Sequence, residues 1–484
     1  MHRRQIVTGL LLLSVHGGVL LSACGGSPGG GGPGTPGNPP RTSPSISRFD
    51  AVDDSVFVGG RTQLTALFSG ENAEIDGLGP VVSGTPVDTP VLSASRSFTL
   101  TVHGAGSTAQ ATVTVAARYR NRVRQLADAP VARKDHVAVR LPDGSALVMG
   151  GNTSESINVP DTDTSSRFDP VSETFGRGPD LAFSAAIDTG FTTLLPLRTG
   201  FLLAGGGPNA GVGLQTPGPL LTQTFDPAAQ RFTRAGDLKV QHQGTGSGVL
   251  LGDGRVLLTG GGFFGGSPGT EFYDPESRAW SAGPAMGTAR RVHTATLLHD
   301  GRVLITGGFV CCVVDGQTVS ESSTASAELY DPATGSFTPT GSMAVGRALH
   351  QATLLSDGRV LVSGGFGVTD SPGAPGPEHA EVYDPATGTF AAAGSLAGGR
   401  SLHSAILLTD GRVLVVGGLA NLGARGPVAQ TEIYDPGTNA WAPGPTLQPA
   451  WLSPTVTLLG NGRVLIHGGE NLSGFPEPTA LLFE

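Results

Sequence analysis

The feature that most restricts what this chain can become is a phrase it repeats. RSLHSAILLTDGRVLVVGG runs from Arg400 to Gly418, RALHQATLLSDGRVLVSGG starts at Arg347, and RRVHTATLLHDGRVLITGG ends at Gly308. Double glycines close an apolar run at 150–151, 205–206, 260–261, 307–308, 364–365, 417–418 and 468–469. After each of the first six comes an aromatic followed by Asp-Pro, at Phe168, Phe225, Tyr273, Tyr330, Tyr383 and Tyr434. A second aromatic follows at Phe175, Phe232, Trp280, Phe337, Phe390 and Trp441, with a Leu or Met six residues beyond each. A period of about fifty residues means one supersecondary unit copied along the chain, a unit that cannot bury its faces alone and must stack on its neighbours.

Within a unit the pattern reads as four strands. An HSAILL-like strand A is followed by a DG or NG turn and an RVLVVGG-like strand B; an AEIYDP-like strand C precedes a strand D that opens at the second aromatic. With 75 glycines and 36 prolines among 484 residues, and only 14% charged residues, short strands and tight turns are favoured over long helices. The glycine, tyrosine and tryptophan landmarks resemble the kelch repeat, one propeller blade per unit, over about three quarters of the chain. That resemblance implies an all-β fold with a seven-bladed β-propeller over 118–484. The seventh unit reaches Phe483 where the tyrosine belongs and has no strand D after it, so residues near Arg120 to Leu126 are expected to supply that strand and close the ring, leaving no open sheet edge.

Three segments precede the repeats. Residues 1–23 start with His2, Arg3 and Arg4, continue through an apolar run from Ile6 to Leu21 too short for a typical spanning helix, and end in small residues before Cys24. LSAC resembles the lipobox of bacterial lipoproteins, which implies cleavage before Cys24, acylation of that residue and, with Gly25 in place of an acid, sorting to the outer membrane on its periplasmic or surface side. Residues 24–43, rich in Gly and Pro, read as a tether with a root-mean-square reach of roughly 25 Å. Residues 44–117 alternate in strand fashion (RTQLTALF, SFTLTVHG, QATVTVAA) and end in a hairpin that resembles bacterial Ig-like domains, a small β-sandwich spacer.

Strand parity puts the D–A and B–C connections on one face and the short A–B and C–D turns on the other. Irregular sequence concentrates in the B–C loops, so that face is the expected binding surface. Candidate contacts are Phe263 and Phe264, Phe309, Cys311 and Cys312, Asn421 to Arg425, and Glu470 and Asn471. Adjacent Cys311 and Cys312 are expected, outside the cytoplasm, to be oxidised to a strained vicinal disulfide or bridged to a partner. At the start of strand A, R-x-x-H occurs at Arg133/His136, Arg290/His293, Arg347/His350 and Arg400/His403. Four imidazoles around an axis could form a polar ring or hold a metal. Because the motif tracks the repeat, the favoured reading is structural: the arginines pair with Glu328, Glu381 and Glu432 and staple blades together, while the histidines cap backbone groups. Asp161 and Asp163 lack the Gly and Glu of a calcium loop and read as solvated.

The propeller of galactose oxidase, a copper radical enzyme, carries a Tyr-His pair in a similar context. Here Val292, Leu349 and Leu402 precede the histidines, and apart from Tyr119 every tyrosine lies in a strand C. No metal or other cofactor is therefore expected. The net charge of -9 gives no basic face for nucleic acid. The reading is a monomeric, lipid-anchored protein that binds a protein or glycan on the B–C and D–A face. The competing reading is an extracytoplasmic carbohydrate-active enzyme, a galactose-oxidase-like oxidase or a glycan hydrolase, built on the same face.

Overall fold

The structure, a computed structural model, describes residues 43–484 apart from 154–162, 183–192, 205–220, 240–241, 243–245, 263–265, 315–316, 368–377, 421–425 and 472, and apart from the side chains of 311–321. Every named element is a β-strand. The repeats form seven four-stranded antiparallel sheets. In blade 6, for example, Ser404–Leu407, Val413–Val416, Gln430–Asp435 and Ala440–Thr446 are strands A to D in order outward. Strand B is fully buried in every blade, as expected of an inner strand covered on both faces. Blade 7 takes its outer strand from upstream: Val123–Gln125 pairs with Ala480–Phe483, with Phe483 opposite Val123.

The repeated residues are those that shape the hairpins. In every A–B turn but that of blade 2, where the sequence is LRTG, an Asp or Asn side chain accepts the backbone N–H two residues on, as Asp357 does from Arg359 at 3.1 Å and Asn461 from Arg463 at 3.1 Å. The Asp-Pro after strand C does the same for the C–D turn, Asp331 accepting from Ala333 at 2.8 Å. The paired aromatics meet across strands C and D at ring-centroid distances such as 4.9 Å for Tyr383 and Phe390. The Leu or Met six residues on is buried in all six units, at Leu181, Leu238, Met286, Met343, Leu396 and Leu447.

Upstream, two sheets share one core. Ser45–Ala51, Gln63–Ser69 and Val87–Asp88 form the first; Ser55–Phe57, Ser107–Arg118, Arg96–Gly104, Asn72–Ile75 and Gly79–Pro80 form the second. That core, with Leu64, Phe98, Leu100 and Val102 wholly buried, continues without a break into Leu414, Ile433, Trp451, Val464 and Phe483 of blades 6 and 7. The junction is also hydrogen-bonded to the A–B turns of those blades. Tyr119 donates to the Gly462 carbonyl at 2.5 Å, and Thr409 donates to that of Ser93 at 2.6 Å.

Candidate functional site: the loop face and its seams

The D–A connectors and B–C loops lie side by side. Ala348 bridges to Phe366, Arg291 to Phe309, Leu452 to Glu470 and Lys134 to Asn152, and Arg400–Ser401 pairs with Leu419–Ala420. The R-x-x-H motif sits under this layer. The guanidinium of Arg347, wholly buried, donates to the Gly364 carbonyl at 2.9 Å and to Glu381 Oε1 at 2.7 Å. Arg290 does the same with Gly307 and Glu328, both at 2.7 Å, and Arg400 pairs with Glu432. Burial lowers the pKa of each arginine and its glutamate opposes the shift. The second oxygen of each carboxylate accepts a connector N–H, from Gly287, Ala344 and Ala397 at 2.7–2.8 Å. Each pair therefore lies inside one blade and pins the incoming connector to it. The expectation that these pairs cross between blades is corrected: strand C, which carries the glutamate, belongs to the same blade as the connector.

The histidines cross the seams instead. His293 Nε2 lies 2.8 Å from Thr259 Oγ1 at the end of the preceding blade's strand B, His350 Nε2 3.0 Å from Thr306 Oγ1, and His403 Nε2 3.1 Å from Ser363 Oγ. Their side-chain partners are hydroxyls on the neighbouring blade, whereas the sequence suggested backbone groups. At the closing seam that position is His467, whose Nδ1 is 3.1 Å from His136 Nε2, with Thr455 Oγ1 at 2.9 Å. Burial holds all five imidazoles neutral, pushing His293, His403 and His467 down to about 3 and His136 and His350 well below the usual histidine range. The double glycines make room for this. A Cβ at Gly468 would lie 2.7 Å from His136 Cε1 and 2.8 Å from the Arg133 carbonyl, and the residue's φ is +57°.

Four blades depart from the pattern: Gln223 stands at the glutamate position of blade 2, Trp451 and Leu481 stand at the arginine and glutamate positions of blade 7, and two other blades keep one member each. In blade 1, Ser166 stands where the glutamate belongs, and Arg133 donates to the Gly150 carbonyl and to Thr164 Oγ1, both at 2.7 Å. Among the described residues no carboxylate pairs with it, and burial lowers its pKa to about 10. In blade 3, His242 takes the arginine's place, its Nε2 3.0 Å from Glu271 Oε2. Sequence reasoning missed the second pair because HQGTG does not match R-x-x-H, although TEFYDP keeps the glutamate.

Above the seams runs a rim that no motif announced. Asp135, Val292, Leu349, Leu402 and Ser453, each just before the histidine position, have φ between +47° and +55°. Left-handed backbone costs non-glycine residues about 1–3 kcal/mol and is least suited to a β-branched side chain such as Val292. The reason for the turn is a staircase of bonds around the axis: Leu349 N–H donates to the Val292 carbonyl, Leu402 to Leu349 and Ser453 to Leu402, at 3.1–3.4 Å. Inside the rim a cavity of about 540 Å³ follows the axis, lined by His136, Thr193, Leu194, Gln351, Ser404 and Thr455 among others.

The remaining candidates are dispersed over this face. Phe309 is half-buried beneath the Arg291 guanidinium, 5.1 Å from its ring centroid, and meets Phe366 at 6.2 Å. The blade 4 loop is a hairpin, Phe309–Val314 with Gln317–Ser323, in which Cys311 and Cys312 lie opposite Glu321 and Ser320 in the backbone register. Asn471 builds a turn, its Oδ1 accepting from Ser473 and Phe475, and Glu470 lies 3.9 Å from Lys134 Nζ. Cys24, Phe263, Phe264, Asn421, Arg425 and Asp161 lie outside the described residues. All five tyrosines are framework: Tyr119 at the sandwich junction, and Tyr273, Tyr330, Tyr383 and Tyr434 almost wholly buried within blades.

A family profile described as the kelch motif matches residues 400–448, which span blade 6 and its connector. Among solved structures, a fungal alcohol oxidase of the AA5 family in complex with copper is similar over 75% of this chain and 75% of its own, with a TM-score of 0.56 and 15% identity, a likeness of fold. No curated protein matches the chain.

Proposed function

We propose that this kelch-repeat β-propeller is an extracytoplasmic binding protein, held to the outer membrane by acylated Cys24 and capturing a protein or glycan on its B–C and D–A loop face. The observation that carries this reading is the division of labour between polar and apolar groups. The repeated Arg, His and Glu side chains are spent inside blades and seams, while Phe366, Leu402 and Phe475, three of the four exposed large hydrophobics described in the propeller, lie on the loop face. Copper-radical chemistry of the oxidase kind does not fit these residues, since no phenol stands beside any seam histidine and all five are committed to the framework.

The test is capture by the Cys24→Ser protein, which should move from the membrane to the soluble fraction, on a glycan array and in pull-downs. Shortening the hairpin at 311–321 should weaken capture while leaving the melting temperature unchanged. Capture indifferent to every loop-face change would place the ligand elsewhere, and a Cys24→Ser protein still in the membrane fraction would remove the anchor.

A further inference from the structure

We infer that the rim of the propeller axis is an apolar receptor for a polypeptide segment carrying bulky aliphatic side chains next to basic ones. The inference rests on the loop-face reading and narrows it to one class of partner. Its first support is a conflict between backbone and side chain. Val292, Leu349 and Leu402 hold left-handed backbone, where Gly, Asn or Asp would be far less strained. The staircase that explains the turn uses backbone N–H and carbonyl groups alone, so it would form with any of those residues. What the strained choice adds is side chain: three aliphatic groups on consecutive blades, with Leu402 36% exposed. Phe309 and Phe366 continue the same arc outward. Strain retained for a side chain that the fold does not need points to a surface kept for contact.

The class of partner follows from what the face holds and lacks. Sugar rings are gripped by Tyr and Trp, which pair an aromatic face with a polar handle. In this chain all five tyrosines and all three tryptophans belong to the blades or to the sandwich junction. An arc of Val, Leu and Phe offers area without hydrogen bonds, which suits Leu-, Ile- or Met-like side chains. Charge complements this: the chain carries -9, and Asp135, Glu470 and Glu477 stand at the blade 7 and blade 1 end of the rim against Lys134 and the buried Arg133. A basic partner would be steered to that end.

The probe is an immobilised panel of twelve-residue synthetic peptides varying Leu against Ser and Lys against Glu content, read with the Cys24→Ser full-length protein beside a glycan array. The variants are Leu349→Asn and Leu402→Asn, which relieve the left-handed backbone. Binding should be selective for Leu/Lys peptides and fall at least tenfold in the double variant, while the melting temperature stays level or rises. A melting temperature lowered by both substitutions would make the leucines structural and overturn the inference. So would capture of glycans in place of peptides, or Leu/Lys binding unchanged in the variants. If binding survives these variants yet is lost on shortening the 311–321 hairpin, the rim assignment falls and the loop face stands. Binding that survives both changes removes both.

Discussion

In blades 3 to 6 a single strand-C glutamate carries an unusual share of the energetics. Glu381 neutralises a wholly buried guanidinium and accepts the Ala344 N–H, so Glu381→Ala strands two donors at once. The expected loss is about 3–5 kcal/mol in urea unfolding, the cost of leaving one partner of a buried pair uncompensated. Blade 1 offers the converse: Ser166→Glu places a carboxylate where Arg133 has none among the described residues, and the urea midpoint should rise. No gain would mean the added carboxylate cannot reach the guanidinium. The seam histidines set the response to acid. Their folded pKa values lie below the unfolded value near 6.5, so between the two the unfolded chain binds more protons. Stability is full above about pH 6.5 and is lost as pH falls toward 3, each histidine contributing a slope of up to ~1.4 kcal/mol per pH unit. Urea midpoints should hold level from pH 7.5 to about 6.5 and then fall steadily to pH 5, and a profile flat throughout would overturn the assignment. The arginine and glutamate partners were legible in sequence because both recur in register. The rim residues were not, since Val and Leu carry no propensity for the backbone they adopt, and His467 was invisible because the other strands B end in a hydroxyl residue or in Met149, Ala204 or Val416.

At the scale of elements, the ring depends on the shortest strand of its four-stranded blades. Val123–Gln125 is three residues long, yet it supplies the outer edge of blade 7, and Arg124 pairs with both Leu482 and, at 2.7 Å, Glu173 of blade 1. Arg124→Pro removes a ladder donor and that ion pair together, and should open blade 7 to edge-to-edge aggregation during gentle heating. A soluble variant with an unchanged melting temperature would show that closure does not rely on this strand. The four-strand pattern and the missing seventh strand could be read from the chain because each blade must solve the same burial problem with the same turns. The hairpin at 309–323 could not, since a loop's own pairing leaves no trace in the blade's period.

For the whole molecule, the alternation in 44–117 foretold strands but not what their buried faces would meet. They meet the propeller, and one core runs through both. Calorimetry should therefore show one cooperative transition, and two well-separated ones would contradict the shared core. The same junction has a mechanical meaning. Ser45 pairs with Ser69 at the end of the sandwich that also holds the 104–107 hairpin, far from the Tyr119 contact. In the anchored protein we propose, a ligand pulling outward and a tether pulling back would stretch the chain along Ser107–Arg118, which leads straight into the strand that fastens the ring. Without the junction, every tug would peel that fastening open one hydrogen bond at a time. With Tyr119, Phe483 and Trp451 wedged into a common core, the tug is met first by the sandwich bearing against blades 6 and 7. The sandwich then acts as strain relief for the clasp, as a collar does for a cable at its plug.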